Sequence, residues 1–326
     1  MWKITTSFVT SVMSVALLLA AVAHPAQSQE QPVVAVIVKD QSDHFWKIVL
    51  AGAQAAGKDL GLKVLGQSGT SESDVAGQVK LLQDAVKSNS AGIVIAPTQY
   101  TTLGPAVDEA ARHVPVVTID SSVASLNMKS TVATDNVEAG GIAADALAKA
   151  IAAKYGAPSG EVVIVNFIGG TGSLIDRSKG FKDRLFEKYP DITVIDERDG
   201  DGAKSSIEQI VTSVLKEHPD IRGVFASNLN AAEAMAAALK TASLAATIKL
   251  VGFDSSDALT GYLADGTISG LIVQDPYQIG YQGVKAAFEA SQGKGVLGYI
   301  DTGANLITRD NMNEVKEQQL LNPALD

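Results

Sequence analysis

The chain has no cysteine, only four histidines, and fewer basic than acidic residues. Without thiols there is no disulfide framework, no thiol nucleophile and no cysteine metal site. At 326 residues the chain must instead be stabilised by buried apolar cores, and it is long enough for two domains. Twenty-six Lys+Arg stand against 36 Asp+Glu, a net charge of −10. No basic cluster interrupts that balance, so a nucleic-acid partner, which needs a positive stripe, is not expected. None of His24, His44, His113 and His218 lies in a metal-ligand or G-x-S-x-G setting, and His218 before Pro219 reads as a helix C-terminal cap. With no nucleophile and base, metal set or nucleotide loop in view, an enzyme is not expected, and neither is a cofactor.

The N-terminal apolar run is short. It extends from Val15 to Ala23, nine residues, where a spanning helix needs about 20. Lys3 precedes it, and it ends on Ala21-Val22-Ala23, a small-residue cleavage pattern before polar, proline-containing His24 to Gln29. Residues 1–23 therefore read as a secretory signal peptide, which implies export to the periplasm. Lacking the cysteine that lipoproteins use for anchoring, the mature chain is expected free in solution and monomeric.

β-branched runs alternate with helical patterns throughout the remainder. Strands are expected at Val33 to Lys39, Lys63 to Gly66, Gly92 to Ala96 and Val114 to Asp120, with helices at Phe45 to Leu60, Glu72 to Ser88 and Thr102 to His113. The pattern then repeats, with strands at Glu161 to Phe167, Ile192 to Ile195, Gly223 to Ser227 and Lys249 to Asp254, and helices at Leu174 to Lys188, Ala203 to His218 and Ala231 to Ala242. Near-continuous apolar strands between helices predict an α/β fold with doubly wound parallel sheets. The halves also align: Gly52-Ala53-Gln54 lies opposite Gly180-Phe181-Lys182, and Val117-Thr118-Ile119-Asp120-Ser121-Ser122 opposite Val251-Gly252-Phe253-Asp254-Ser255-Ser256. A duplicated unit predicts two similar lobes.

Ligands bind at the carboxyl ends of parallel strands, where Asp120 and Asp254 both stand. Either aspartate could cap a following helix, or accept hydrogen bonds from the hydroxyls of a polyhydroxylated ligand. Phe45 and Trp46, after the Lys39 to His44 loop, could pack inside or offer a ring face to a sugar. Gly169-Gly170-Thr171-Gly172-Ser173 fails as a phosphate loop because Ile175 replaces the third glycine, but it leads to Arg177, a planar donor. Glu197 to Glu208 imitates a calcium loop, with Glu at the first position and Lys204 among the ligand positions.

Taken in order, these motifs resemble the ribose-type periplasmic sugar-binding proteins of ABC importers. The likeness runs from Val33 to about Asn311 and adds Ala133-Thr134-Asp135-Asn136, Val224-Phe225-Ala226-Ser227-Asn228 and Gln274-Asp275-Pro276-Tyr277-Gln278-Ile279-Gly280. The resemblance implies the type I fold, with lobes at 33–134 plus 275–301 and 135–274 plus 302–312, a three-crossing hinge, and a tail at 313–326. It also implies a pocket of Asp43, Phe45, Trp46, Asp120, Arg177, Asn228, Asp254 and Gln274, to which Lys39, Ser121 and Asn230 are added as candidate contacts. A membrane permease is the implied partner, with a chemoreceptor as a second. Ribose binders carry an arginine where this chain has Ser121 and an aromatic ring where it has Gly200, so the resemblance points to another pentose, a hexose or a sugar alcohol. The alternative is a sugar acid or furanosyl signal with Lys39 as anion partner. A repressor core of similar fold is opposed by the leader and the missing DNA-binding helices.

Overall fold

The computed structural model describes residues 1–3 and 31–323. The expected signal peptide therefore lies outside the described residues except for its first three. The first half runs β1 (Val33–Val38), α1 (His44–Leu60), β2 (Lys63–Ser68), α2 (Val75–Lys87), β3 (Gly92–Ile95), α3 (Gly104–Ala111), β4 (Val116–Ile119), β5 (Ser130–Ala133) and α4 (Asn136–Tyr155). The second runs β6 (Gly160–Asn166), α5 (Gly172–Lys188), β7 (Ile192–Asp199), α6 (Lys204–Glu217), β8 (Gly223–Ala226), α7 (Leu229–Thr241), β9 (Lys249–Phe253), α8 (Asp257–Ala264), β10 (Gly270–Gln274) and α9 (Pro276–Ser291). Two short strands, β11 (Tyr299–Asp301) and β12 (Ala304–Ile307), and α10 (Val315–Leu321) complete it.

Two six-stranded sheets result, ordered β11-β5-β4-β3-β1-β2 and β12-β10-β9-β8-β6-β7. Replacing each strand of the first by its counterpart in the second gives the same order, so the duplication read from the sequence is a duplication of topology. The first sheet is parallel throughout, whereas β12 runs antiparallel to β10. The chain passes between sheets three times: after β5, after β10, and between β11 and β12. Thr134 Oγ1 donates to Gly303 O (2.9 Å) and Asp135 N to Asp301 Oδ1 (3.0 Å), tying two of these passages together.

Strand β1 shows why the strands are apolar without alternation. Val34, Val36 and Val38 pack with α1 and α9, while Ala35 and Ile37 face α2 and α3. Both faces are covered, so both side-chain sets are buried. In the second lobe Val162 and Ile164 face α4 and α5, and Val163 and Val165 face α6 and α7.

Two helix boundaries bear on the site. Helix α2 begins at Val75 and not at Glu72, because the Asp74 carboxylate accepts from Gly77 N (2.8 Å) and Thr70 N (2.9 Å) and caps it there. Glu72 is thereby left in the preceding turn. Helix α5 starts at Gly172, two residues earlier than the apolar pattern indicates, which brings Ser173 onto its first turn. The calcium-loop imitation dissolves, since Glu197 and Asp199 belong to β7 and both accept from Asn166 Nδ2 (3.2 and 2.8 Å).

Candidate functional site

Strand ends and helix starts of both lobes line a small cavity of about 30 Å3. The first lobe supplies Lys39, Asp43, Phe45, Trp46, Glu72 and Asp120. The second supplies Ile168, Thr171, Ser173, Leu174, Arg177, Asn228, Leu229, Asn230, Asp254 and Gln274. Ten of the eleven residues singled out in the sequence are thus brought together. Ser121 is placed behind the wall: its hydroxyl donates to Asp120 Oδ2 (2.6 Å), accepts from Lys39 Nζ (2.9 Å) and lies 2.9 Å from Ser173 Oγ of the other lobe.

Asp120 and Asp254 end β4 and β9 in the left-handed conformation, with φ of 63° and 69°. Such backbone is uncommon outside glycine and tolerated best by Asp and Asn. Each amide still bonds to the next strand, Asp120 N to Val132 O and Asp254 N to Ile272 O, so the turn occurs after the ladder and swings the carboxylate inward. Neither caps the helix that follows it in sequence. Helix α8 is capped by Ser256, and Asp254 Oδ2 instead accepts from Leu229 N (3.2 Å) at the start of α7.

The twins differ electrostatically. Burial works against the charge on Asp120, but Lys39 and Arg177 beside it hold its carboxyl below the usual range, Lys39 Nζ lying 2.7 Å from Oδ2. Burial pushes Asp254 up, opposed only in part by Arg177 and by Gln274 Nε2, which donates to Oδ1 at 2.7 Å. Asp43 is also raised, mainly by burial; it caps α1 through Phe45 N (2.9 Å) and accepts from Asn230 Nδ2 (3.3 Å) across the cavity.

Arg177 is the largest fully buried side chain of the site. Its Nε donates to Asn136 Oδ1 and its Nη1 to Ser227 O, both at 2.8 Å, and its guanidinium lies 3.6 Å from the centre of the Phe253 ring. Burial lowers its pKa, with Asp254 and Asp120 acting in the other direction. Among the described residues, Arg177 Nη2 and Gln274 Oε1 are buried with no hydrogen-bond partner. A donor and an acceptor are therefore available in the second-lobe wall.

Opposite them, Phe45 and Trp46 pack edge to face with centroids 4.9 Å apart, and Lys39 Nζ sits 5.2 Å from the indole. Trp46 Nε1 donates to Glu72 Oε1 (2.8 Å). Burial pushes Glu72 up to about 7 despite nearby Lys39. Sequence reasoning missed Glu72, which no motif marks, and the apolar contributions of Ile168, Leu174 and Leu229. No side chain fits at Gly200, where a Cβ would come within 2.4 Å of Phe167 O; apolar surface in the second lobe comes from those three residues. The glycine loop was noticed only for Arg177, but its Thr171 and Ser173 also line the cavity. Thr171 Oγ1 donates to Thr98 O (2.7 Å), and Gln99 Nε2 to Gly169 O (2.7 Å), so this loop binds one lobe to the other.

No helix among the described residues is long and apolar enough to cross a membrane. The periplasmic binding protein domain matches residues 34–295. The ribose import binding protein of Haemophilus influenzae is 28% identical over 300 residues, spanning 92% of this chain and 98% of its own length. A carbohydrate transporter solute-binding protein of Agrobacterium radiobacter, solved with D-arabinose, is 45% identical with a TM-score of 0.88, covering 90% of this chain and all of that one. A second, from Agrobacterium vitis with D-fucose, is 31% identical with a TM-score of 0.82, covering 89% of this chain and 99% of its own. The chain belongs to the periplasmic binding protein family, in its ribose-binding-like type I branch, and is a solute-binding protein rather than an enzyme.

Proposed function

We propose that this chain is the exported solute-binding component of a sugar ABC importer, taking a neutral monosaccharide between its lobes and presenting the closed form to a membrane permease. The observation that supports this most is the opposition, across one small cavity, of an aromatic wedge to a buried wall with a free donor and a free acceptor. A pyranose has the matching character, with an apolar C–H face and a rim of hydroxyls that both donate and accept. The ligand contacts on this reading are Lys39, Asp43, Phe45, Trp46, Asp120, Arg177, Asn228, Asn230, Asp254 and Gln274, with Ser121 supporting Asp120. The relatives solved with D-arabinose and D-fucose favour a pentose or a deoxyhexose. The moving bodies are residues 33–134 plus 275–301 and 135–274 plus 302–312. A ligand touching both makes the closed arrangement favourable.

Lys39 opposes the sugar-acid alternative, because its charge is already matched by Asp120 at 2.7 Å. Arg177 offers one free donor, but it and Lys39 are two cations against Asp43, Asp120 and Asp254, so a ligand carboxylate would add to an excess of negative charge. The test is a thermal-shift and calorimetric panel of neutral sugars, polyols and sugar acids. A neutral monosaccharide is expected to bind near 1 μM, about −8 kcal/mol. Binding of sugar acids alone, or of no member, overturns the reading.

A further inference from the structure

The cavity holds one acid that none of the motifs explains. Glu72 sits in the turn before α2, outside any helix or strand, yet its side chain lines the cavity beside the aromatic wedge. Its Oε1 accepts from Trp46 Nε1 at 2.8 Å, while Oε2 has no hydrogen-bond partner among the described residues. The groups facing it are Lys39 at the end of β1, Asp43 ahead of α1 and Asp120 after β4, with Arg177 of α5 and Asp254 after β9 across the cavity. Two cations thus face three other carboxylates. Lys39 Nζ bonds to Asp120 and Ser121, and Arg177 to Asn136 and Ser227, so no hydrogen bond from either cation reaches Glu72.

We propose that Glu72 is a ligand-contacting acid that binds sugar in its protonated form, Oε1 holding the Trp46 indole against the sugar ring and the Oε2 hydroxyl donating to a sugar oxygen, so that capture takes up a proton from solvent. This rests on the reading of the cavity as a monosaccharide site.

The chemistry follows from the surroundings. An ionised Glu72 would add a fourth carboxylate to a wall that closure shields from water, whereas the neutral acid keeps the acceptor that Trp46 needs and gains a donor. In the closed arrangement burial pushes the acid up to about 7. Parting of the lobes would admit water and let the acid fall back toward the ordinary value of 4.5. A group whose value is higher in the closed form favours closure at low pH. That advantage is lost as pH rises between the two values and is gone above about 7. Other raised acids of the wall, Asp43 and Asp254, accept from at least two N–H donors each and are better suited to remain charged.

The experiment is calorimetric titration with D-arabinose, and D-fucose as second probe, at pH 5.5 to 8 in buffers of differing ionisation enthalpy. Affinity about tenfold higher at pH 6 than at pH 8, with roughly one proton taken up per sugar at pH 6, is expected. Glu72→Gln keeps the acceptor for Trp46 and is permanently neutral, so its pH slope and proton uptake should vanish. Sugar binding without proton uptake, or a Glu72→Gln profile that keeps the parent slope, overturns the role of Glu72 and leaves the sugar-binding reading standing. If neither D-arabinose nor D-fucose binds, the neutral sugar that binds in the panel is titrated in the same way, and binding of no neutral sugar at any pH overturns both readings.

Discussion

Asp120 and Asp254 occupy equivalent strand ends with the same left-handed backbone, yet their carboxyls are displaced in opposite directions. The cause is Lys39, which pairs with Asp120 alone. Asp120, lowered, contributes stability that is present above its unfolded value and is lost as pH falls through the folded one. Asp254, raised by burial, carries a charge the fold disfavours, so its ionisation detracts from stability as pH rises. Asp254→Asn removes that disfavoured charge but also the charge that most supports the buried Arg177, so the two effects oppose each other and the melting temperature at pH 7 is expected to stay close to the parent's. Any difference should shrink at acid pH, where the parent aspartate is itself neutral. Sugar affinity should fall about 10- to 100-fold, because a charge-assisted acceptor is lost. Calorimetry and a melting series across pH check both halves, and retained affinity would remove Asp254 from the site. Arg177→Met tests the opposite wall. It deletes the free Nη2 donor, so affinity should fall at least about 30-fold with the fold intact by circular dichroism.

Each lobe joins two helices through glycines. In the second, a Cβ on Gly180 of α5 would fall 1.8 Å from Val137 O, and one on Gly140 of α4 would fall 2.1 Å from Arg177 O. In the first, Gly52 of α1 meets Tyr277 O at 2.0 Å and Gly280 of α9 meets Val49 O at 1.9 Å. The alignment of Gly52 with Gly180 in the sequence thus has a mechanical meaning: backbone touches backbone where these helices cross. The crossing also aims the site, since it presses the Arg177 backbone against α4, whose first residue, Asn136, holds Nε. Gly180→Ala should force the helices apart and destabilise by about 3 kcal/mol or more. Gly261→Ala, in exposed α8 with open space around it, should stabilise by about 0.5–1 kcal/mol. Denaturant unfolding of the two variants tests the contrast. Much of this architecture was legible because strands buried on both faces are written as unbroken apolar runs and their ends as paired Asp-Ser-Ser. The elements around the crossings were not: β5, β11 and β12 have three or four residues each, too few to show a period, with partners far away in the sequence, and the flanking β10, α4 and α9 were not expected either. Glu72 was illegible for a related reason. Only a tertiary contact with Trp46, 26 positions away, brings a polar turn residue to the cavity.

At the scale of the whole molecule, the described structure is a closed one. Besides Ser121 with Ser173 and Asp43 with Asn230, the lobes meet where Tyr100 N donates to Gly170 O (2.8 Å). These are polar contacts, the kind of interface whose formation a bound ligand can decide. Gly172, the first residue of α5, lies on that seam. A Cβ there would sit 2.5 Å from Ser122 O and 2.6 Å from Ser122 Oγ, both atoms of the opposite lobe. Beyond its chain neighbours and its own helix backbone, the three nearest atoms all belong to Ser122, so a larger side chain first meets the opposite lobe and is resisted chiefly by the lobes' approach. Gly172→Leu is accordingly expected to melt within about 2 °C of the parent in the absence of sugar while wedging the cleft open. Apparent affinity falls in proportion to the fraction of molecules able to close, so a tenfold weaker Kd corresponds to about 1.4 kcal/mol against closure. Small-angle scattering with saturating D-arabinose supplies the independent reading: the parent should contract on binding, and the variant should contract less at equal occupancy. Equal contraction and equal affinity in the two proteins would mean that the seam does not govern capture, and that the cavity fills without the lobes having to meet at Gly172.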